Sequence, residues 1–390
     1  MKMPKTTPFR FNIPSLTRRA GRQKLLACLA GLGILLGLSL FLPNWGNRSV
    51  SAEDDRLQVI ASNFPAYDFL RQVGGDRLDL TMLLAPGAES HSYEPSPRDL
   101  VKLAEADLFV FTGGEADAWA KSVLITRPVD KPSLAMVDMV DLLDEEIVEG
   151  MEDDDHEDHE DHEDHEDHED HEDHEDHEGH EDHENHEGHD DHTDHEGQEG
   201  HDHGDDRTSR RFSHTIDEHV WTNPQNAAKI VQALCDSLVD LDPDHADYYQ
   251  DRTAKYLTQL KDLDKAFADL IKHAHRHTIV VGDRFPLHYF VEAYQLDYYA
   301  AFPGCSTQGD ASPQTLAFLI DKVRDESLPV VFHIELSNQK LAETIAEDTG
   351  AEVLLFHSCH NVSKENFKAG VTYLDLMQNN LKALDKALND

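Results

Sequence analysis

From Asp155 to Gly204 the chain repeats His-Glu-Asp with few interruptions, a histidine standing at every third position from His156 to His195 before the tract ends in His201 and His203. It offers no apolar residue from which a core could be packed, so it divides the foldable sequence in two. Imidazole nitrogen ligates zinc, copper, nickel and iron, and neighbouring carboxylates attract cations, so the tract reads as a metal-collecting segment. Its candidate ligands are His156, His159, His162, His165, His168, His171, His174, His177, His180, His183, His186, His189, His192, His195, His201 and His203. A period of three turns about 300° per step in an α-helix, which scatters the imidazoles around the axis. In polyproline II it spaces them roughly 9 Å apart along one edge. Neither geometry surrounds one zinc at about 2.0–2.1 Å, so many weak, exchanging sites are expected rather than one tight one. With no Lys or Arg between Glu152 and Asp206, carboxylate repulsion should keep the tract disordered until metal arrives.

The formal charge of -44 draws heavily on this insert, which holds 31 of the 78 acidic residues. So acidic a chain is no candidate for nucleic-acid binding. Basic residues (Arg18, Arg19, Arg22, Lys24) precede an apolar run over residues 25–42, and Val50-Ser51-Ala52 follows as a small-residue cleavage site. Residues 1–52 are therefore expected to be an export signal, with a mature chain starting near Glu53 in the periplasm or its equivalent. The apolar run is also close to the length that spans a bilayer, so an uncleaved anchor is the competing reading. Export permits disulfides. Of the cysteines beyond the leader, Cys235 falls in a helical pattern, whereas Cys305 and Cys359 both fall in polar, loop-like segments and form the expected pair.

Roughly 290 residues remain outside leader and insert, enough for two ordinary cores. Residues 57–60 and 78–84 read as strands and 66–73 as a helix closed by Gly74-Gly75. A helix over 97–106 and a strand over 108–111 follow. Beyond the insert, residues 224–239 read as a helix and 244–275 as a much longer one, its apolar positions recurring at three- and four-residue steps. A second series then begins: strands at 278–281, 330–334 and 353–356, helices at 287–294, 313–324 and 337–349. The expected fold class is α/β, two β/α lobes with parallel sheets joined by a long helix and a ligand cleft between them. The expected organisation is an N-terminal lobe at 53–143, the acidic insert at 144–211, completion of that lobe at 212–243, the linking helix at 244–275 and a C-terminal lobe at 276–390.

Outside the insert, histidines gather in turns after strands. His91 follows the second strand, His219 follows the insert, Asp283 and His288 follow the strand at 278–281, and His357 and His360 follow the strand at 353–356. Two such positions per lobe could converge on one cation, and a nitrogen-rich tetrahedral site is what zinc favours. His91-Ser92-Tyr93-Glu94-Pro95-Ser96-Pro97 and Asp217-Glu218-His219-Val220-Trp221-Thr222-Asn223-Pro224 resemble the two histidine motifs of the zinc- and manganese-specific solute-binding proteins of ABC transporters. Gly282-Asp283-Arg284-Phe285-Pro286, Phe302-Pro303-Gly304-Cys305-Ser306 and Leu355-Phe356-His357-Ser358-Cys359-His360-Asn361 resemble a branch of that family.

The resemblance implies two lobes bridged by a rigid helix, with one ion between them. Its ligands would be His91, His219 and His357, with the remaining one from Asp283 or His288. At the position where most members place a ligand, five residues before Tyr289, this chain has Arg284, which cannot ligate a cation. Glu335 and His360 would support the ligands from behind. The implied function is capture of Zn2+, with Mn2+ the lesser alternative, and delivery to a membrane permease by a monomer. A manganese- or iron-binding member and a periplasmic metal buffer are the other readings. No His-Glu-x-x-His pattern points to a zinc hydrolase, so no enzyme is expected.

Overall fold

Alternating apolar strands and amphipathic helices fold here into two parallel sheets, seen in a computed structural model that describes residues 55–89, 93–115, 117–128, 130–151, 211–304, 306 and 310–390. The leader, the acidic tract, His91 and Cys305 lie outside the described residues. The first sheet contains β1 (Leu57–Ala61), β2 (Leu78–Met82), β3 (Leu108–Phe111) and β4 (Ser133–Ala135), all parallel in the order β2-β1-β3-β4. Helices α1 (Phe64–Gly74), α2 (Pro97–Glu105) and α3 (Ala120–Thr126) connect them. Short-range chemistry sets the helix starts. The Asn63 side chain accepts from Ala66 N at the start of α1, and Ser96 and Asp99 close a reciprocal capping box on α2.

β5 (Asp144–Ile147) and β6 (Arg211–Ile216) then pair antiparallel, bringing together the points where the chain enters and leaves the acidic tract. Helices α4 (Pro224–Leu241) and α5 (Ala246–Lys272) follow. The 27 residues of α5 span about 40 Å at 1.5 Å per residue. Tyr249, Tyr256, Leu260, Leu263, Phe267 and Ile271 make its buried stripe, each large side chain contributing roughly 1.5–3 kcal/mol by leaving water.

The second sheet contains β7 (Thr278–Phe285), β8 (Asp297–Pro303), β9 (Val330–His333) and β10 (Glu352–Leu355), parallel in the order β10-β9-β7-β8. Its helices are α6 (His288–Tyr294), α7 (Pro313–Asp325), α8 (Lys340–Thr349), α9 (Lys364–Ala369) and the C-terminal α10 (Tyr373–Asn389). The sequence reading passes over β8 and stops the preceding strand at Val281, because Gly282-Asp283 looks like a turn. The structure instead carries β7 on to Phe285 through a register slip between Val281 and Arg284.

One core joins α1, α4, α5 and α10 to the facing sides of both sheets, and two smaller cores lie beyond the sheets, one including Leu103 and Phe109, the other Leu319 and Val331. In each sheet the strand order reverses beside a central strand, β1 in the first and β7 in the second. The carboxyl ends at such a reversal leave a crevice where ligands bind. Trp221 ties the two lobes together below it. Its indole Nε1 donates to the Ser358 carbonyl at 2.8 Å, and its own carbonyl accepts from Tyr373 Oη at 2.8 Å, all three groups buried. Trp221→Phe leaves the Ser358 carbonyl without its donor and opens a cavity, so urea denaturation is expected to show a loss of at least about 1–3 kcal/mol.

Candidate metal centre

Asp217, fully sequestered after β6, holds the best-defined imidazole in the molecule. Its Oδ1 accepts from the His219 backbone N at 2.7 Å and from Nδ1 of the same residue at 2.9 Å. With Nδ1 committed, Nε2 is the nitrogen through which His219 can hold an ion. Burial disfavours the charged imidazole, but the charge and hydrogen bond of Asp217, with Glu218 and Glu145 behind it, raise the His219 pKa above the ordinary value. The same contact holds the Asp217 carboxyl below its usual range despite its burial.

His360 faces His219 from the other lobe, their ring centroids 5.4 Å apart and their planes at 79°. Both rings pack edge-on against Trp221, at 5.6 and 5.1 Å. The loop that carries His360 is fixed by Glu335, at the end of β9. Glu335 Oε2 accepts from Ser358 N at 2.7 Å, and Oε1 accepts from Ser358 Oγ at 2.6 Å and His360 N at 3.1 Å. Two residues of this region, Leu336 at φ 62 and Cys359 at φ 64, adopt the left-handed backbone that side chains with a Cβ disfavour. Such strain costs on the order of 1–3 kcal/mol and collects at functional sites.

These groups line a cavity of about 30 Å3, room for an ion and little more, together with Ala88, Glu89, Arg284, Pro286, Gly304, Ile334, Leu336, Ser358 and Asn361. Asn361 ties the first lobe to this wall. Its Nδ2 donates to the carbonyls of Ala85 and Ala88, both at 2.9 Å, while Gly87 N donates to the Val362 carbonyl at 2.8 Å. That grip sets the loop leading to His91, which itself lies outside the described residues. Among the described residues no three His, Cys, Asp or Glu side chains gather closely enough to hold an ion by themselves.

None of the remaining candidates is in the lining of this cavity. His357 is buried in the loop after β10. Its Nδ1 accepts from Cys359 N at 2.9 Å, its backbone is clasped by Asn380 at 2.7 and 2.8 Å, and burial, partly offset by Glu335, lowers its pKa. The Asp283 carboxylate accepts from Arg284 N at 2.9 Å and Ile334 N at 3.4 Å, bracing β7 against β9. His288 sits 3.4 Å from Glu146, beside the β5–β6 pair and outside the cavity lining. Cys359 is a buried thiol at 3.7 Å from the His357 carbonyl, its pKa pushed well up by burial; its expected disulfide partner, Cys305, lies outside the described residues. Glu89 and Asn361 were not singled out from the sequence. Glu89 stands two residues before His91, a signal that was there to read; Asn361 carried none.

A family model described as the periplasmic zinc-uptake complex component A, ZnuA, matches residues 59–387. The high-affinity zinc uptake system protein ZnuA of Bacillus subtilis (strain 168) is 26% identical over 363 residues, 92% of this chain and 97% of that protein. The zinc-binding lipoprotein AdcA of Streptococcus pneumoniae (strain ATCC BAA-255 / R6) is 27% identical over 350 residues, 89% of this chain but 58% of AdcA, so the chain spans little more than half of that relative. Among solved structures, the Zn(II)-bound ZnuA-like domain of S. pneumoniae AdcA aligns with a TM-score of 0.61 at 24% identity, over 86% of this chain and 100% of that one. The metal-dependent lipoprotein YcdH from B. subtilis aligns at 0.62 and 22%, over 85% and 100%. At these identities the structural likeness speaks for the fold.

Because an imidazole must lose its proton to bind a metal, the raised pKa of His219 makes protons compete from above the ordinary histidine range near 6.5. Zinc affinity is therefore expected to fall as the pH falls through that raised value. Asp217→Asn should move the decline to lower pH and, by loosening the ring, weaken binding about 10–100-fold at neutral pH. Chelator-competition titrations between about pH 5 and 8 measure both effects.

Proposed function

The chain belongs to the family of periplasmic zinc-uptake components, ZnuA, and from that premise we propose that it captures zinc outside the cytoplasm and hands it to the permease of an ABC transporter. The observation that carries this reading is the pairing of His219 and His360 across the two lobes. Two imidazoles bound through nitrogen to one tetrahedral zinc at about 2.0–2.1 Å place their ring centroids roughly 5 Å apart. The observed separation is 5.4 Å. His91, carried on the loop that Asn361 grips, is the third proposed ligand, with Glu89 or Glu335 from the cavity wall to complete the set. Asp217 orients the His219 ring, and Glu335 holds the loop that carries His360. A set dominated by imidazole favours zinc over manganese, which leans on carboxylate oxygen.

In this reading residues 1–52 export or anchor the chain, the helix α5 sets the spacing of the lobes, and the protein works as a monomer that performs no covalent chemistry. The His-Glu-Asp tract raises the zinc concentration near the cleft through many weak sites. It is not the site from which the permease is loaded.

Calorimetric and chelator-competition titrations of a chain lacking residues 152–206 are expected to retain one tight zinc and lose several weak ones. In that shortened chain His219→Ala and His360→Ala should each weaken the tight site by more than about 100-fold, whereas His357→Gln should leave it in place. Disappearance of tight binding with the tract would move the function to the insert and favour a metal buffer.

A further inference from the structure

Arg284 stands in the wall of the proposed zinc cavity beside His219, His360, Glu335 and Glu89. The slip in register between Val281 and Arg284 carries it there, at the end of β7. Its side chain is 18% exposed. Nη1 and Nη2 donate to the two carboxylate oxygens of Glu89 at 3.3 and 3.4 Å, and Nη1 also reaches the Ser306 carbonyl at 3.4 Å. A guanidinium does not lose its proton in a protein, so it cannot ligate a metal. It can only repel one, from a position where its own side chain is largely covered while that of Glu89 is 46% exposed, so solvent screens part of that repulsion.

Two features distinguish this pair from a strut between the lobes. The loop that carries Glu89 is already held by Asn361 and by the Gly87–Val362 bond, at 2.8–2.9 Å, without help from Arg284. The Arg284–Glu89 contacts are long beside the roughly 2.7–2.9 Å of a well-made charged hydrogen bond, as suits a partner that is to be exchanged. We propose that Arg284 sets the affinity of the site: it is a tethered cation that holds Glu89 and competes with the incoming zinc ion for that carboxylate. Capture stays reversible because release of zinc returns Glu89 to its arginine. This role rests on the zinc reading of the cavity.

The test uses the full chain, zinc alone as the probe, and a chelator strong enough to strip the acidic tract. Arg284→Gln is expected to tighten zinc binding about 10-fold and to slow its release into excess chelator in proportion, with little change in the rate of capture. Arg284→Lys keeps the charge and should stay close to the unaltered protein. Glu89→Gln should weaken binding about 10-fold, and in the double variant the gain from losing Arg284 should largely vanish, since no carboxylate is left to be freed. Equal or weaker binding by Arg284→Gln, or an undiminished gain in the double variant, overturns the proposal. Failure of the unaltered chain to bind one zinc tightly would overturn the zinc reading itself, and is told apart because it is seen before any substitution is made.

Discussion

Asp217 links the orientation of the His219 ring to the packing of both lobes. The Oδ1 of Asp217 engages Nδ1 of the His219 ring and leaves Nε2 for other contacts. The backbone of the same residue is held at both ends: its N–H donates to the Leu143 carbonyl at 3.0 Å, and its carbonyl accepts from Tyr289 Oη at 3.0 Å. Tyr289 Oη in turn accepts from Leu143 N at 3.0 Å. One residue thus couples the strand that returns from the acidic tract, helix α6 of the second lobe and the orientation of the imidazole proposed to hold the ion. A ring held in this way loses little freedom when it ligates, so more of the interaction with the ion is retained as affinity.

On the opposite side of the cleft the equivalent task falls to Glu335, with a different solution. It accepts hydrogen bonds from a loop whose backbone is bent into the left-handed region at Cys359, and so stabilises a conformation that the loop would not keep alone. That bend separates His357 from His360. One is sent inward against Asn380 and the other outward to His219. The thiol of Cys359 fills the fully buried space beneath the bend, where a small apolar side chain serves.

Much of this was legible in the sequence because it is written in local pattern. The apolar stripe of α5 and the apolar strands followed by glycine or proline each need only a few neighbouring residues to be recognised. His219 was legible for the same reason, with its aspartate two positions before it. What escaped depends on distant partners. The separation of His357 from His360 turns on one positive φ and on Asn380, more than twenty positions from His357. The contact that Asp283 makes with the backbone N–H of Ile334, just past β9, is invisible along the chain. β8 was hidden by turn-like residues at its edges.

The ladder between β5 and β6 has a consequence for how such a chain can change over generations. Because those strands fix the points of departure and return, the lobes are indifferent to the count of residues that lies between. For a flexible loop in general, each doubling of length costs only about 0.6 kcal/mol in closure entropy. Duplication or loss of tripeptide units can therefore change the chain's count of imidazoles and carboxylates almost continuously, while β5 and β6 keep their pairing.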